Sequence, residues 1–405
     1  STISLNGAVN SVGALVENRS TTGNAHVAFN NVTYTSTGVG STALNSLIRN
    51  VNSTGDATAV INGGSITTQA GVNGFSAGGA IAQNLGGGDA TITANNTVVN
   101  VLGSNVTGQL GIDSKYGSQV GIAAVIGNAF FPDIPQNTGS TGTATAIVNH
   151  STVTLGPMAT SNGVAAVNWA NGGSAATVTN TNITTTGYNS NGIVASTQRN
   201  NANNSNAVAT MIGGSVTTGS RLDPLLGYNS AGVAGYSQGA GNGEVHVMEY
   251  VDGTGTAHGA IVTSNADGSS AVATRSRGKT IVTVQGEDTV LTAFGFDSSG
   301  ILSTQNASGA GSTFAVTVGT GVDVIGGAGA GSAGIRIKSQ TGNTGTIDIA
   351  QGALIDGSTG AHGIWDEEGD ATVTSYGEVR QGIATFGGVD VVNLLEHSIT
   401  TGGSG

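Results

Sequence analysis

A short motif that returns along nearly the whole chain constrains its fold more than any other feature. Each copy has a small or polar residue, then a glycine, then a short apolar run, as in the segments 162–166 (NGVAA), 191–195 (NGIVA) and 299–303 (SGILS). Weaker copies lie at Gly40, Gly79 and Gly259. The interval is about 28 residues, and some copies carry about a dozen more. Self-similarity at such a period is the signature of a solenoid, in which each unit packs only on its neighbours.

Each unit contains two further predicted strands. After a polar loop comes a segment such as 176–179 (ATVT), and then a third such as 182–185 (NITT). Apolar and small polar residues alternate in both, as they do in strands with one buried face. We therefore predict an all-β chain folded as a right-handed parallel β-helix. It forms a single domain over residues 1–405, with about ten or eleven coils of three short strands.

The composition excludes several other classes of protein. Glycine accounts for 69 of 405 residues and no Gly-X-Y period is present, so collagen is excluded. No cysteine is present, and therefore neither a disulfide nor a thiolate metal site can form. A net charge of −12 opposes binding to nucleic acid or to an anionic membrane. The one basic concentration is Arg275, Arg277 and Lys279, for which a solvated turn is favoured over an anion site. No apolar run is long enough to predict membrane insertion.

The longer copies are predicted to carry insertions at the corners of the solenoid. These insertions lie at about residues 102–119, 128–141 and 220–230. All three hold apolar side chains on predicted loops, and such side chains commonly mark a contact surface. The predicted binding residues are Phe130, Phe131, Ile134, Leu225, Leu226 and Tyr228.

One dense acidic segment lies between a first and a second strand near the C-terminus. It contains Asp366, Glu367, Glu368 and Asp370. A solvated acidic turn is the favoured interpretation, and a Ca²⁺ site built from the carboxylate oxygens is the alternative. No other cofactor and no catalytic residue are predicted.

The repeat resembles the passenger domains of bacterial autotransporters, in particular the adhesin-like members. The resemblance lies in the starts with Asn-Gly followed by Ile or Val, in the segments 176–187 and 371–377, and in the segment 387–394 (GGVDVVNL). It implies an extracellular or cell-surface location. The chain would be anchored in the outer membrane through a segment missing from this sequence, or it would be released.

Three functions are compatible with this prediction. The first is a non-catalytic adhesin or structural rod whose corner loops contact a host, matrix or neighbouring-cell surface, through protein or glycan. The second is a polysaccharide-processing β-helix, a glycan lyase or hydrolase, or a phage tailspike; it requires a groove with two or three carboxylates within about 10 Å of each other. The third is self-association into extracellular filaments through uncovered strand edges.

Overall fold

The chain forms a right-handed parallel β-helix in the computed structural model, as predicted. The structure describes residues 1–7, 11–69, 77–103, 118–127, 137–157, 160–187, 190–198, 204–219, 230–308 and 311–401. Each coil contains a first, a second and a third strand, and equivalent strands of successive coils pair in parallel. The sheet of first strands has twelve members, so the solenoid has one or two coils more than predicted.

The first strands form one continuous sheet along the side of the solenoid. They are β2 (Val12–Asn18), β4 (Thr42–Ile48), β6 (Ala77–Asn84), β9 (Ser118–Ile126), β12 (Thr160–Asn168), β15 (Asn191–Thr197), β18 (Ala231–Ser237), β23 (Ser270–Ser276), β26 (Ser299–Gln305), β29 (Gly329–Lys338), β32 (Gly360–Asp366) and β35 (Ile383–Thr385).

The second strands follow after a polar corner. They are the first half of β3 (Ala25–Val39), the first half of β5 (Ala57–Gln69), β7 (Ala90–Asn95), β10 (Ala144–Asn149), β13 (Ser174–Thr179), β16 (Ala207–Ile212), β19 (Gly243–Met248), β24 (Lys279–Val284), β27 (Thr313–Val318), β30 (Thr344–Ile349), β33 (Asp370–Ser375) and β36 (Val391–Leu394).

The third strands complete each coil. They are β1 (Thr2–Leu5), the second halves of β3 and β5, β8 (Val98–Leu102), β11 (Thr152–Leu155), β14 (Asn182–Thr185), β17 (Ser215–Thr218), β22 (Ile261–Ser264), β25 (Val290–Ala293), β28 (Asp323–Ile325), β31 (Leu354–Asp356), β34 (Glu378–Arg380) and β37 (Ile399–Thr401). One antiparallel hairpin, β20 (Tyr250–Val251) with β21 (Ala257–His258), lies outside this repeat.

The glycine of the repeated motif occupies one column at the start of the first strands. A Cβ on Gly192 would lie 2.2 Å from Val216 Cγ1 in the third strand and 2.6 Å from the Gly232 carbonyl oxygen in the next coil. The column therefore marks close contact between coils. Two of the weaker motif copies were placed wrongly, because the strand pairing puts Ala43 and Ala271 in the column. Gly40 and Gly259 lie outside it.

The main apolar core runs through the solenoid from coil to coil, and a second, smaller apolar cluster lies on the other face of the first strands. The main core is built mostly from Ile, Val and Ala, with Tyr34 and Phe314 as the largest fully buried side chains. The predicted alternation holds for the second strands other than β36: inward residues are buried and outward residues are more exposed, as in β10 and β16, whereas β36 is exposed throughout. It fails for several first strands, such as β15, where residues of both faces are buried.

Asparagine side chains organise two corners of the coil. At the end of the second strand, the side-chain amides of Asn30, Asn62, Asn95 and Asn149 form a ladder with N···O distances of 2.9–3.0 Å. At the end of the first strand, Asn168 satisfies three backbone groups of its corner at 2.8–2.9 Å. The corners are thus held by repeated side-chain to backbone bonds, which loops need when they lie against a core.

Candidate functional site

The apolar residues that are predicted to bind a partner surface lie outside the described residues. This holds for Phe130, Phe131 and Ile134 in one insertion and for Leu225, Leu226 and Tyr228 in another. The described ranges also exclude residues 104–117, 128–136 and 220–229, which are most of the three predicted insertions.

All residues of the acidic segment near the C-terminus lie in the described ranges. Its first two carboxylates, those of Asp366 and Glu367, lie on opposite sides of the chain. Asp366 is fully buried and accepts a hydrogen bond from the Ser339 hydroxyl. Burial raises the pKa of Asp366 to about 6, and the hydrogen bond from Ser339 opposes that rise. Glu367 instead lies on the outer face, where it pairs with Arg336 at 2.7 Å.

The other two carboxylates also have separate partners. Glu368 accepts a hydrogen bond from the Thr341 hydroxyl at 3.4 Å, and Asp370 accepts one from the backbone N–H of Val389 at 2.7 Å. The structure does not bring the four carboxylates together. Across the described ranges, no group of three His, Cys, Asp or Glu side chains is placed to hold a metal ion.

A concave surface lies elsewhere in the described part of the chain, at the corner between second and third strands in the C-terminal half. This lateral groove has a volume of about 820 Å³. It crosses the coils of β19, β24, β27, β30 and β33, which at about 4.8 Å per coil gives a length near 20 Å. Its walls are formed by outward residues of the second strands and by the turns after them; the polar and aromatic residues among them are Glu249, Gln285, Glu287, Thr317, Thr320, Asp348, Gln351, Thr374 and Tyr376.

The turns at the edge of the groove need unusual backbone geometry. Gly286 has a φ of 107°, and a Cβ on it would lie 2.5 Å from the Cβ of Glu249. A larger residue could not occupy this turn, because side chains rarely adopt such a φ and the space is taken. The glycine therefore lets the glutamate-bearing turns of two coils stack closely.

The hairpin of β20 and β21 marks the N-terminal end of the groove, where Ala257 lines it. Asp252 closes the hairpin turn: it pairs with His258 Nε2 at 3.0 Å and accepts the backbone N–H of Thr254 at 2.8 Å. These bonds, that to His258 first, hold the pKa of Asp252 well below its usual range. The hairpin is thus held by its own polar contacts.

The hairpin docks on coils that precede it in the chain. The Tyr250 hydroxyl and His150 Nε2 are 3.2 Å apart, and the two rings meet edge to face at 5.6 Å. Gly213 lies beneath, where a Cβ would be 2.4 Å from the Cβ of Tyr250. This packing turns the hairpin towards the N-terminal coils and leaves the groove open over the coils that follow.

The chemistry of the groove is acidic and partly aromatic. Glu249, Glu287 and Asp348 line it, and none of its described lining residues is Lys, Arg or His. Tyr376 lies at the C-terminal end with 45% of its surface exposed. Amides and hydroxyls supply both donors and acceptors, and an exposed tyrosine ring offers an apolar face with a polar edge. Such a surface can bind a polyhydroxylated ligand.

The sequence analysis missed both the hairpin and the groove. A signal for the hairpin was present, since Asp252-Gly253 lies in a short polar stretch and Asp-Gly is a strong hairpin-turn pair. No such signal exists for the groove, because Glu249 and Tyr376 lie far apart in the chain. Only the stacking of five coils brings them onto one surface.

Comparison with protein-family models, with curated proteins and with solved structures finds no match to this chain. Within the described residues, no helix is both long and apolar enough to cross a membrane.

Proposed function

We propose that this chain is a non-catalytic extracellular rod that binds a surface saccharide in its lateral groove, as an adhesin does. The observation that carries the proposal is an open groove across five coils, lined by carboxylates, amides, hydroxyls and the exposed ring of Tyr376. A rigid array of stacked coils supports such a site well, since regular strands hold Thr317, Asp348 and Thr374, and the other polar and aromatic lining residues lie in short turns between regular strands.

The acidic lining favours neutral or amine-bearing sugars over acidic ones. Three carboxylates face the groove and its described lining offers no cation to oppose them. Like charges would repel an acidic sugar, whereas an ammonium group would be attracted. The resemblance of the repeat to autotransporter passengers also supports the role of an adhesin. A location at the cell surface is part of this proposal.

Binding to defined oligosaccharides tests this function. Calorimetry with chitosan, cellulose and galacturonate oligomers should show that the amine-bearing or neutral class, and not galacturonate, depends on Tyr376 for binding. Tyr376→Ala should weaken that binding about fivefold, because a stacked ring contributes about 1 kcal/mol. Phe386→Ala serves as the control, since Phe386 is also exposed, at 51%, but does not line the groove. Absence of binding to all three classes, or equal loss in both variants, would contradict the proposal.

Polysaccharide cleavage is the second candidate, because Glu249, Glu287 and Asp348 line the same groove. Glycoside hydrolysis needs one carboxyl group as acid and another as base or nucleophile. A reducing-end assay on the oligosaccharides that bind separates the two functions. The adhesin proposal expects no new reducing ends, whereas cleavage that is abolished by Glu287→Gln would establish an enzyme.

A further inference from the structure

A second concave surface lies at the other end of the same second strands. Four successive coils contribute to it at the corner that follows their first strands, β18, β23, β26 and β29. Its lining residues are Gln238, Arg275, Arg277, Asn306 and Gln340, around a space of about 360 Å³. We refer to these five residues as the arginine–amide shelf.

The shelf contrasts in charge with the rest of the molecule. The chain has 11 Lys and Arg against 23 Asp and Glu, yet the described lining of the shelf includes two arginines and no carboxylate. Arg19, Arg49, Arg336 and Arg380 each pair with a carboxylate. No described carboxylate forms an ion pair with Arg275. Its guanidinium charge is therefore not neutralised by a described acidic side chain.

Packing positions two of the shelf side chains in advance. The Arg275 guanidinium lies over the ring of Tyr236, 5.0 Å from its centroid. Gln238 donates from Nε2 to Oε1 of Gln198 at 2.7 Å, which fixes the amide of Gln238. Side chains held in this way lose less conformational entropy when a ligand binds.

The donor set indicates a class of ligand. A guanidinium group presents a planar fork of N–H donors that matches the two oxygens of a carboxylate or sulfate. The amides of Gln238, Asn306 and Gln340 both donate and accept, and so they pair with hydroxyl groups, which a bare inorganic anion lacks. At about 4.8 Å per coil, the four coils extend the shelf over about 15 Å, so a ligand longer than one small ion fits.

We propose that the arginine–amide shelf binds an acidic polysaccharide, with the Arg275 guanidinium on a carboxylate or sulfate group and the amides on neighbouring hydroxyls. DNA fits less well, because its backbone offers phosphates to the guanidinium group but no hydroxyl groups to the three amides. The shelf is distinct from the lateral groove. The two sites lie at opposite ends of the second strands, and six residues at about 3.3 Å each separate them by about 20 Å.

Affinity measurements with polygalacturonate, which carries carboxylates, and heparin, which carries sulfates, test the proposal. We expect one or both polymers to bind, with affinity that falls as salt rises. Arg275→Gln should weaken binding about tenfold, as expected for a hydrogen bond to a charged group. Arg275→Lys should also weaken it, because the point charge remains and the planar fork is lost.

Lys279→Gln is the matched control. It removes one exposed positive charge close in sequence to both arginines, and Lys279 does not line the shelf. Binding should change less than twofold in this variant. Failure of both polymers to bind, or an equal loss in Lys279→Gln and Arg275→Gln, would overturn the proposal. Tyr376→Ala reports on the groove alone and should leave polymer binding at the shelf unchanged.

Discussion

A column of glycines along the first strands lets neighbouring coils approach to within side-chain contact. At Gly192 an added methyl group would meet both a side chain and a backbone oxygen, at 2.2 and 2.6 Å. A side chain can rotate away, but the carbonyl of Gly232 is held by the sheet. Alanine occupies the same column at positions 43 and 271. The cost in stability of a Cβ in the column therefore depends on how closely the local coils approach.

We expect Gly192→Ala to lower the free energy of unfolding by about 1–3 kcal/mol, the usual range for overpacking a core. Thermal and urea denaturation would measure the change. Gly253→Ala is the control, because an added Cβ there has no heavy atom within 4 Å. Equal stability of the two variants would show that the column does not limit the approach of coils.

Asp366 places an ionisable group inside the solenoid, where its charged form is disfavoured. Its pKa is raised from 3.8 to about 6 in the folded chain, so between these values the folded state holds a proton that the unfolded state has lost. Stability therefore falls as pH rises from about 4 to 6. A shift of this size corresponds to at most about 3 kcal/mol.

Asp366→Asn should remove this pH dependence, because an amide does not ionise. The variant should gain stability relative to the native chain as pH rises from 4 to 7, and urea denaturation at several pH values would measure the difference. Asp348→Asn, on an exposed outward position, provides the comparison. A constant difference between Asp366→Asn and the native chain across this range would contradict the assignment.

At the scale of the strand and its corners, similar asparagine hydrogen bonds occur at different degrees of burial. Asn168 donates to the carbonyls of Gly173 in its own corner and of Gly142 in the preceding coil, and it accepts from the N–H of Ala170. Asn18 makes the two bonds within its own corner, at an exposed corner near the N-terminus, but its third bond goes to the carbonyl of Thr22 in the same corner. If the asparagine is replaced by alanine, water can hydrogen-bond to the freed backbone groups only where the corner is exposed.

Asn168→Ala should therefore destabilise the chain by about 2–4 kcal/mol, since it leaves more than one buried polar group without a partner. Asn18→Ala should have an effect below about 1 kcal/mol. Denaturation of both variants under the same conditions would compare them. Similar losses would mean that burial does not set the strength of this corner.

The hairpin of β20 and β21 is an element added to the coil, and its stability is separable from that of the solenoid. Asp252 closes its turn through His258 and Thr254. We expect Asp252→Ala to loosen the hairpin and weaken saccharide binding at the groove, with little change in the melting temperature. Limited proteolysis at 252–256 and calorimetry would measure both effects. A large loss of thermal stability would show instead that the hairpin supports the coils.

At the scale of the whole molecule, each coil is stabilised by the coils on either side of it. The free energy of unfolding of such an array is approximately the sum of the intrinsic stability of each coil and the interaction energy between neighbouring coils. Every residue of β36 and β37 is exposed, and Val389 beside them is 77% exposed. In contrast, inward residues of central strands such as β13 and β16 are fully buried or nearly so.

Hydrogen exchange of the 405-residue chain should therefore be slowest in the strands of the central coils. It should be fastest in β36 and β37, which have a neighbouring coil on one side only. Mass spectrometry of peptide fragments would measure the gradient. Uniform protection from the first to the last described coil would contradict nearest-neighbour stabilisation.

The repeat by itself determined the parallel β-helix, because a period near 28 residues with three alternating strands can bury its apolar side chains only by stacking. Sequence patterns could not assign every coil, since Ala43 and Ala271 stand where the motif has glycine. They also could not locate the groove or the arginine–amide shelf. Arg275 and Gln340 line the same surface because coils of unequal length stack in register. Strand pairing across coils sets that register. The tertiary structure therefore decided which side chains share a surface.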